Sequence, residues 1–433
     1  RVRVEEAPLR SVLAAFGPQL DVLRLAATGR VGWTHRNFFG GLRKFSVSTR
    51  PGVTLFPLRV DYIFDSDGKF AGVERWLPEN ALTVRFEQPS LFEGRTRGFV
   101  ESNYKIYPLL YPLPVNADAS TERIVGYHEI TQAVGVERTF FGHYMPVSLS
   151  LNWRANLPFE YQGTPIDGLD NVVVSYPELL TALDFRDNPI QPTRGFYLSN
   201  SFQIATQGLG GQLNDVRLRP EARGFINLDN ARKVILAGRL TFGLVFPQNY
   251  GEALIDSTDV NTERAAVIRD QHRLLFRAFY SGGPDSNRGY PYQRVGPQGP
   301  IGFLTPPGID CEATPSDSAC LRPLGGFSMW EASLEIRWKF ADPWGLVAFI
   351  DASDVSSKVA TFGLQAPHIS VGPGLRYNSP IGPVRLDVGW RVPGLQKLAP
   401  EPGERLDVSE VPPYLNENWW DAFALHILIG ESF

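Results

Sequence analysis

The segment YSGGPDSNRGYPYQRVGP, residues 280–297, places Arg288 among small residues and directly before Gly289 and Tyr290. A guanidinium presents a planar fork of N–H donors and can bridge two carboxylates, which a lysine ammonium cannot do. A glycine beside it lets the backbone pass close to a neighbouring surface. This segment therefore suggests recognition of acidic side chains.

Motifs for catalysis are missing from the sequence. It contains no G-x-S-x-G, no H-E-x-x-H and no G-x-x-x-x-G-K, and its six histidines are widely spaced. In FDSDGKF, Asp65 and Asp67 lack the third ligand and the final glutamate of a calcium-binding loop. We expect no enzymatic activity, no metal site and no cofactor.

The only two cysteines, Cys311 and Cys320, lie close together in a proline-rich segment. Two thiols alone offer too few ligands for a typical metal site. In an oxidising compartment such a pair forms a disulfide. We therefore predict a disulfide that closes a short ring.

Composition excludes some classes of protein. The formal net charge is -4 and the pI is about 6.0, so the chain has no basic field for nucleic acid. Its apolar runs are far shorter than the roughly 20 residues of a membrane-spanning helix, and no signal peptide is visible after Arg1. The 28 Phe, 41 Gly and 35 Pro favour strands and turns over helices.

Strict alternation of apolar and polar residues appears in SMWEASLEIRWKF (328–340) and in PVRLDVGWRV (383–392). A soluble sandwich and a transmembrane barrel both produce this pattern, with water or lipid outside. In a barrel, the residues predicted to face lipid are Trp330, Leu334, Ile336, Trp338, Leu386 and Trp390.

Loop lengths separate these two architectures. The predicted strands are 7–17, 24–36, 43–56, 80–88, 97–107, 123–138, 145–156, 170–186, 195–206, 215–228, 232–247, 328–340, 345–354, 368–378, 383–391 and 424–433. The long connections are 57–79, 108–122, 157–169, 248–327 and 392–423. Sixteen strands with short turns on one side and long loops on the other indicate an all-β, antiparallel, transmembrane barrel with periplasmic turns.

Four stretches carry a family resemblance: GWTHRNFFGG (32–41), DFRDNPIQPTRGF (184–196), GGPDSNRGY (282–290) and HILIGESF (426–433). With them the chain resembles the outer-membrane protein assembly and translocation barrels of the BamA and TamA kind, the bacterial surface antigen barrels. More loosely, it is similar to the two-partner secretion transporters. The resemblance covers residues 1–433 as one barrel, with 248–327 as the sixth surface loop and without a POTRA domain.

The resemblance implies a protein of the outer membrane of Gram-negative bacteria that inserts or translocates polypeptides and is not an enzyme. Its implied partners are outer-membrane lipid and lipopolysaccharide, unfolded outer-membrane or secreted polypeptides, and accessory periplasmic or lipoprotein subunits. The alternative is a passive pore or a structural barrel subunit of a larger complex.

By the same resemblance, the sixth loop folds into the lumen and Arg288, Gly289 and Tyr290 form its tip. The family pattern places carboxylates on the inner faces of the next two strands, which here match Glu335 and Asp351. Strand parity agrees, since Glu335 lies on the charged face and Asp351 lies opposite Leu346 and Ile350. We expect these five residues to fasten the loop; the alternative is that Arg288 is a loop arginine exposed to solvent.

The resemblance also implies a lateral gate, a weak seam between the first and last strands. Gly430 interrupts the last strand, and Phe433 is the terminal aromatic that the family uses as an assembly signal. Pro8 removes a hydrogen-bond donor near the start of the first strand. We therefore predict that these two strands share fewer backbone hydrogen bonds than any other neighbouring pair. The alternative is that Gly430 only fits a tapering barrel wall and that Phe433 serves only the protein's own insertion.

Overall fold

A computed structural model describes residues 8–20, 25–56, 75–110, 124–162, 169–231, 233–255, 264–304, 320, 322–364, 367–379, 382–392 and 422–429. The fold is a β-barrel whose long strands pair with their neighbours in chain order. The first eight are β1 (Arg10–Leu20), β2 (Leu25–His35), β3 (Lys44–Phe56), β4 (Arg75–Gln88), β5 (Thr96–Pro108), β6 (Ile124–Phe140), β7 (Met145–Gln162) and β8 (Val172–Asp184).

The second half of the chain supplies the remaining eight barrel strands and the elements of the sixth loop. Its barrel strands are β9 (Gly195–Ala205), β10 (Asp215–Asn227), β11 (Val234–Pro247), β14 (Ser328–Ala341), β15 (Trp344–Ser356), β16 (His368–Ser379), β17 (Gly382–Arg391) and β18 (Phe423–Ile429). The sixth loop, between β11 and β14, contains α1 (Glu252–Ile255), α2 (Arg264–Leu275), β12 (Gln298–Gly299) and β13 (Arg322–Pro323).

Every barrel pairing is antiparallel, and β11 pairs with β14 across the sixth loop. This confirms the predicted sixteen strands and the place of the sixth loop in their order. β1 and β18 stand at the two ends of the order. Two boundary predictions were clearly wrong. β4 begins at Arg75, inside the predicted loop 57–79, because the end of β3 gives it partners there, and β7 runs to Gln162, into the predicted loop 157–169, because β6 gives it partners there.

The two faces of the barrel wall differ in polarity because side chains alternate along each strand. On β14, Glu331, Glu335 and Arg337 are buried on the inner face, whereas Leu334 and Ile336 are exposed on the outer face. Trp338 is likewise exposed, and Leu386 and Trp390 lie half-buried on the same outer face of β17. This pattern is the one that a barrel in lipid requires.

Trp330 departs from the prediction, since it is buried although it has the parity of the outer face. The chain after β15 covers the wall at this point. Phe362 packs edge-on against Phe242, the cross-strand neighbour of Trp330, and the Gly363 N–H donates to Asp354, its neighbour on the other side. The alternation of apolar and polar residues predicts which face of the sheet a residue lies on, but it does not predict whether a loop covers that residue.

The main apolar core lies where the sixth loop meets the inner wall. Phe279 and Tyr290 of the loop pack in one cluster with Val174 and Tyr176 of β8 and Val245 of β11. A second cluster joins Phe303 and Ile301 of the loop to Val125 and Tyr127 of β6. Among the described residues, no helix is long and apolar enough to span a membrane.

Candidate functional site

The tip of the sixth loop forms a compact turn inside the barrel. Gly282 and Gly283 adopt positive φ, and the Gly283 N–H points to the carbonyls of Asn287 (3.2 Å) and Tyr290 (3.1 Å). A side chain at positive φ is strained, so glycine suits both positions. Arg288 follows Asn287 in this turn, and its side chain points to the wall formed by β14 to β18.

Arg288 is only 1% exposed and contacts acidic side chains of two adjacent strands. Its Nε donates to Asp351 Oδ2 (2.7 Å) and its Nη2 to Asp351 Oδ1 (2.8 Å), so the pair is bidentate. Its Nη1 donates to Glu335 Oε1. The structure thus brings together Arg288, Glu335 and Asp351, the three charged residues that the family resemblance had placed in one site.

A third carboxylate, Asp387 of β17, lies 3.9 Å from Arg288 Nη1. The guanidinium also lies over the ring of Phe349, 3.6 Å from its centroid. Burial by itself lowers the pKa of Arg288, but the hydrogen bonds and charges of the carboxylates outweigh burial and raise this pKa above its ordinary value. Arg288 is therefore a permanent cation at this site.

Gly289 lies at one of the closest contacts between the loop and the wall. A Cβ atom there would lie 2.2 Å from the Cβ of Ser370, and the Gly289 N–H donates to Ser370 Oγ at 3.0 Å. On β17, a Cβ at Gly389 would lie 2.1 Å from the carbonyl oxygen of Arg288. Glycine suits both positions, because a Cβ atom would collide with the Ser370 side chain at Gly289 and with the Arg288 backbone at Gly389.

Tyr290 is buried and packs edge-on against His368, with 5.4 Å between ring centroids. The guanidinium of Arg391 lies 5.4 Å from the centre of the tyrosine ring on another side. Tyr290 therefore joins the loop tip to β16 and β17. We call Arg288, Gly289, Tyr290, Glu335 and Asp351 the loop-lock cluster.

Sequence reasoning missed several partners of this cluster. Asn287 donates to Ser353 Oγ and to the His368 carbonyl and accepts from Ser370 Oγ. His426 of β18 lies with its Nε2 3.0 Å from the Arg288 carbonyl oxygen. A signal for His426 existed, because it is the one polar residue in the apolar segment FALHILI.

A second charged contact holds the loop near its outer end. Arg277, which follows α2, is buried and donates to both carboxylate oxygens of Asp215 on β10, at 2.9 and 2.5 Å. Its Nη1 donates to Gln203 Oε1 on β9, and the Tyr250 hydroxyl also donates to Asp215. Nothing local in the sequence pairs residues so far apart.

Two groups of predicted site residues fall partly or wholly outside the described residues. Gly430 and Phe433 of the predicted seam lie outside them, so the seam stays a prediction. Cys320 is buried and disulfide-bonded, whereas Cys311 lies outside them, and the pairing between the two stays a prediction as well.

Comparison with known proteins agrees with this architecture. The model of the Omp85 superfamily domain matches residues 178–402. The structure is similar to BamA from Haemophilus ducreyi lacking POTRA domains 1-3, with a TM-score of 0.59 and 14% identity over 91% of this chain and 68% of that one.

The structure is also similar to two CdiB proteins, each 11% identical to it. For CdiB from Escherichia coli the TM-score is 0.52, over 98% of this chain and 63% of that one. For CdiB from Acinetobacter baumannii the TM-score is 0.50, over 89% and 57%. The chain thus spans less than two thirds of either CdiB protein. It belongs to the Omp85 superfamily of bacterial outer-membrane β-barrel proteins.

Proposed function

We propose that this barrel inserts polypeptides into the outer membrane or passes them across it, through a seam between β1 and β18. Its substrates are unfolded outer-membrane or secreted polypeptides, and periplasmic or lipoprotein subunits assist it. Outer-membrane lipid and lipopolysaccharide surround it. Membership of the Omp85 superfamily and the similarity in shape to BamA and CdiB barrels support this proposal.

The observation that carries the seam is a difference between the two end strands. β18 lies against the sixth loop, because His426 contacts the Arg288 carbonyl inside the barrel. On β1, both faces are open: Val12 and Phe16 on the outer face and Leu13 on the inner face are each more than half exposed. We infer that the loop-lock cluster braces the β18 side of the seam and that β1 is the side that moves.

A movable edge strand suits the proposed chemistry. An unpaired strand edge presents a row of N–H and C=O groups on which an incoming strand can form backbone hydrogen bonds. A nascent barrel strand or an extended secreted chain offers the complementary row. The work of the protein is then templated pairing of backbone groups and needs no covalent step.

A cysteine cross-link between β1 and β18 tests the seam. Val12 and Ile427 both face outward, so Val12→Cys with Ile427→Cys is the first pair to try, followed by neighbouring outward positions until a cross-link forms. The assay is the rate at which purified protein in phospholipid vesicles accelerates folding of an unfolded outer-membrane barrel. We expect the oxidised pair to lose the acceleration and reduction to restore it.

The matched control is Val12→Cys with Trp33→Cys, which joins β1 to its existing neighbour β2. This cross-link should leave activity unchanged, because it does not span the seam. Full activity in the cross-linked β1–β18 protein would disprove the seam. A parent protein that accelerates neither folding nor translocation, and only conducts ions, would instead favour the passive pore.

A further inference from the structure

Three successive periplasmic turns repeat one short pattern that the proposed function does not use. They read Phe38-Phe39-Gly40, Leu91-Phe92-Glu93 and Phe140-Phe141-Gly142. They connect β2 to β3, β4 to β5 and β6 to β7. We call Phe39, Phe92 and Phe141, the second residue of each, the turn-tip phenylalanines.

The turn-tip phenylalanines occupy an unfavourable backbone conformation. Their φ angles are +57°, +65° and +52°, in the left-handed region where a side chain with a Cβ is strained. Their side chains are also 81%, 94% and 74% exposed. Glycine or asparagine would satisfy the same turns without the strain and without an exposed ring. The combination of backbone strain and exposure makes these rings candidates for a binding role.

An apolar groove lies beside these turns on the outer face of the barrel. Its volume is about 550 Å³, and it runs along β4 to β8 between Leu91, Phe86, Val136 and Leu149. Gly98 lies in its floor, where a Cβ atom would come within 2.8 Å of the Leu91 side chain. Because this face of the wall meets lipid, a hydrocarbon chain matches the groove in shape and polarity.

Cationic groups lie at the periplasmic end of the same groove. The half-exposed Arg138 packs over the ring of Phe140 and pairs with Glu93 of the next turn at 2.8 Å. Arg43 donates to Gln88, which lines the groove, and to the carbonyl of Phe39. Aromatic rings beside arginines at the end of a hydrocarbon surface match the layered chemistry of a phospholipid, with acyl chain, glycerol and phosphate in sequence.

We propose that the first three periplasmic turns bind glycerophospholipid of the inner leaflet. The turn-tip phenylalanines enter the headgroup boundary, an acyl chain occupies the groove, and Arg138 and Arg43 lie at the level of the phosphate. All three turns belong to the β1 half of the barrel, so this rim fixes the depth of that half in the membrane. The inference stands on the turns and the groove, and does not depend on the seam.

Site-specific fluorescence in vesicles tests the rim. Single variants Phe39→Cys, Phe92→Cys and Phe141→Cys are labelled with an environment-sensitive dye and reconstituted in vesicles of phosphatidylethanolamine and phosphatidylglycerol. The parent protein, which lacks the introduced cysteine and is treated with the same dye, gives the background fluorescence. We expect strong quenching by phospholipid spin-labelled near the headgroup and weak quenching by a water-soluble quencher. Leu209→Cys, at the exposed tip of the loop between β9 and β10, is the control and should show the reverse.

A second pair of variants tests the groove. Gly98→Leu fills its floor, whereas Gly224→Leu adds the same side chain to the outer face of β10, where nothing lies within 4 Å. In native mass spectrometry with phosphatidylglycerol, we expect Gly98→Leu to retain fewer lipids than the parent and Gly224→Leu to match it. Turn-tip dyes that respond like Leu209, or equal lipid retention by both leucine variants, would overturn the proposal.

Discussion

Removal of the Arg288 side chain is the sharpest test of the loop-lock cluster. Arg288→Ala deletes the bidentate bond to Asp351 and the bond to Glu335, and leaves carboxylates that are 1% and 0% exposed without their main cation. Breaking a buried ion pair on one side costs about 3–5 kcal/mol. Three contacts remain in the variant: Arg337 still binds Glu335, Ser333 still donates to Asp351, and the backbone N–H of position 288 still donates to Asp351.

These remaining contacts favour the lower end of that range, about 3 kcal/mol, which corresponds to a roughly hundredfold rise in the population of loops that have left the wall. Limited proteolysis of the folded, detergent-solubilised protein measures this population, because cleavage follows the open form when closing is fast. We expect the cleavage rate within the sixth loop to rise by a similar factor. The barrel strands should stay resistant.

Two further variants show whether geometry or charge decides the outcome. Arg288→Lys keeps the charge but loses the planar fork, so cleavage should be intermediate. Arg273→Ala removes a half-buried arginine of α2, in the same loop, that makes one long contact with the Asn249 carbonyl at 3.4 Å, and should change little. If Arg288→Ala were cleaved no faster than Arg273→Ala, the cluster would not fasten the loop.

Four other outcomes follow from the structure. Arg277→Met removes the contact of the sixth loop with Asp215 and should raise cleavage near α2 while the loop tip stays protected. Equal cleavage at both places would show that the Asp215 contact and the loop-lock cluster open together. Ile336→Arg on the outer face should lower the free energy of unfolding of the barrel in vesicles by about 2–4 kcal/mol if residue 336 lies near the bilayer midplane. Reversible urea unfolding measures this change, and an unchanged free energy would place this face outside the lipid. Burial lowers the pKa of His272 to about 4, so the ring is neutral in the packed loop at neutral pH. The stability of the packed loop should therefore decline as the pH falls from about 6.5 towards 4. His272→Phe should remove this pH dependence of proteolysis, and an unchanged dependence would assign it to another group. Cys311 and Cys320 should resist alkylation until a reductant is added, and ready labelling of both beforehand would exclude their disulfide.

The barrel itself could be predicted from sequence because its signal is local. In SMWEASLEIRWKF every second residue is apolar, and the strand that follows from this pattern is β14, shifted by one residue at its end. Parity also placed Glu335 and Asp351 on the inner face. Trp330 shows the limit of parity, because a loop that folds over the outer wall leaves no periodic trace in the strand beneath it.

The rest of the site depends on contacts between distant segments. Asp387 lies on the charged face of its strand, but parity alone cannot say which inward acids the arginine reaches. Arg277 and Asp215 are 62 positions apart, and their pairing depends on how far the loop descends into the barrel. His426 could have been noticed as a polar residue in an apolar strand, although its partner is a backbone carbonyl without any sequence signature.

The close contact of Arg288 with β17 bears on how the barrel wall is completed. Its carbonyl touches Gly389 on β17 and is reached by His426 on β18, so the loop tip supplies part of the surface on which both strands rest. In the chain, both strands follow the loop and the two strands β14 and β15 that carry its carboxylate partners. Because β14 and β15 carry the carboxylates that bind Arg288, the loop tip and these two strands together form the surface against which β17 and β18 pack. The last two strands of the barrel thus pack against an earlier loop of the same chain.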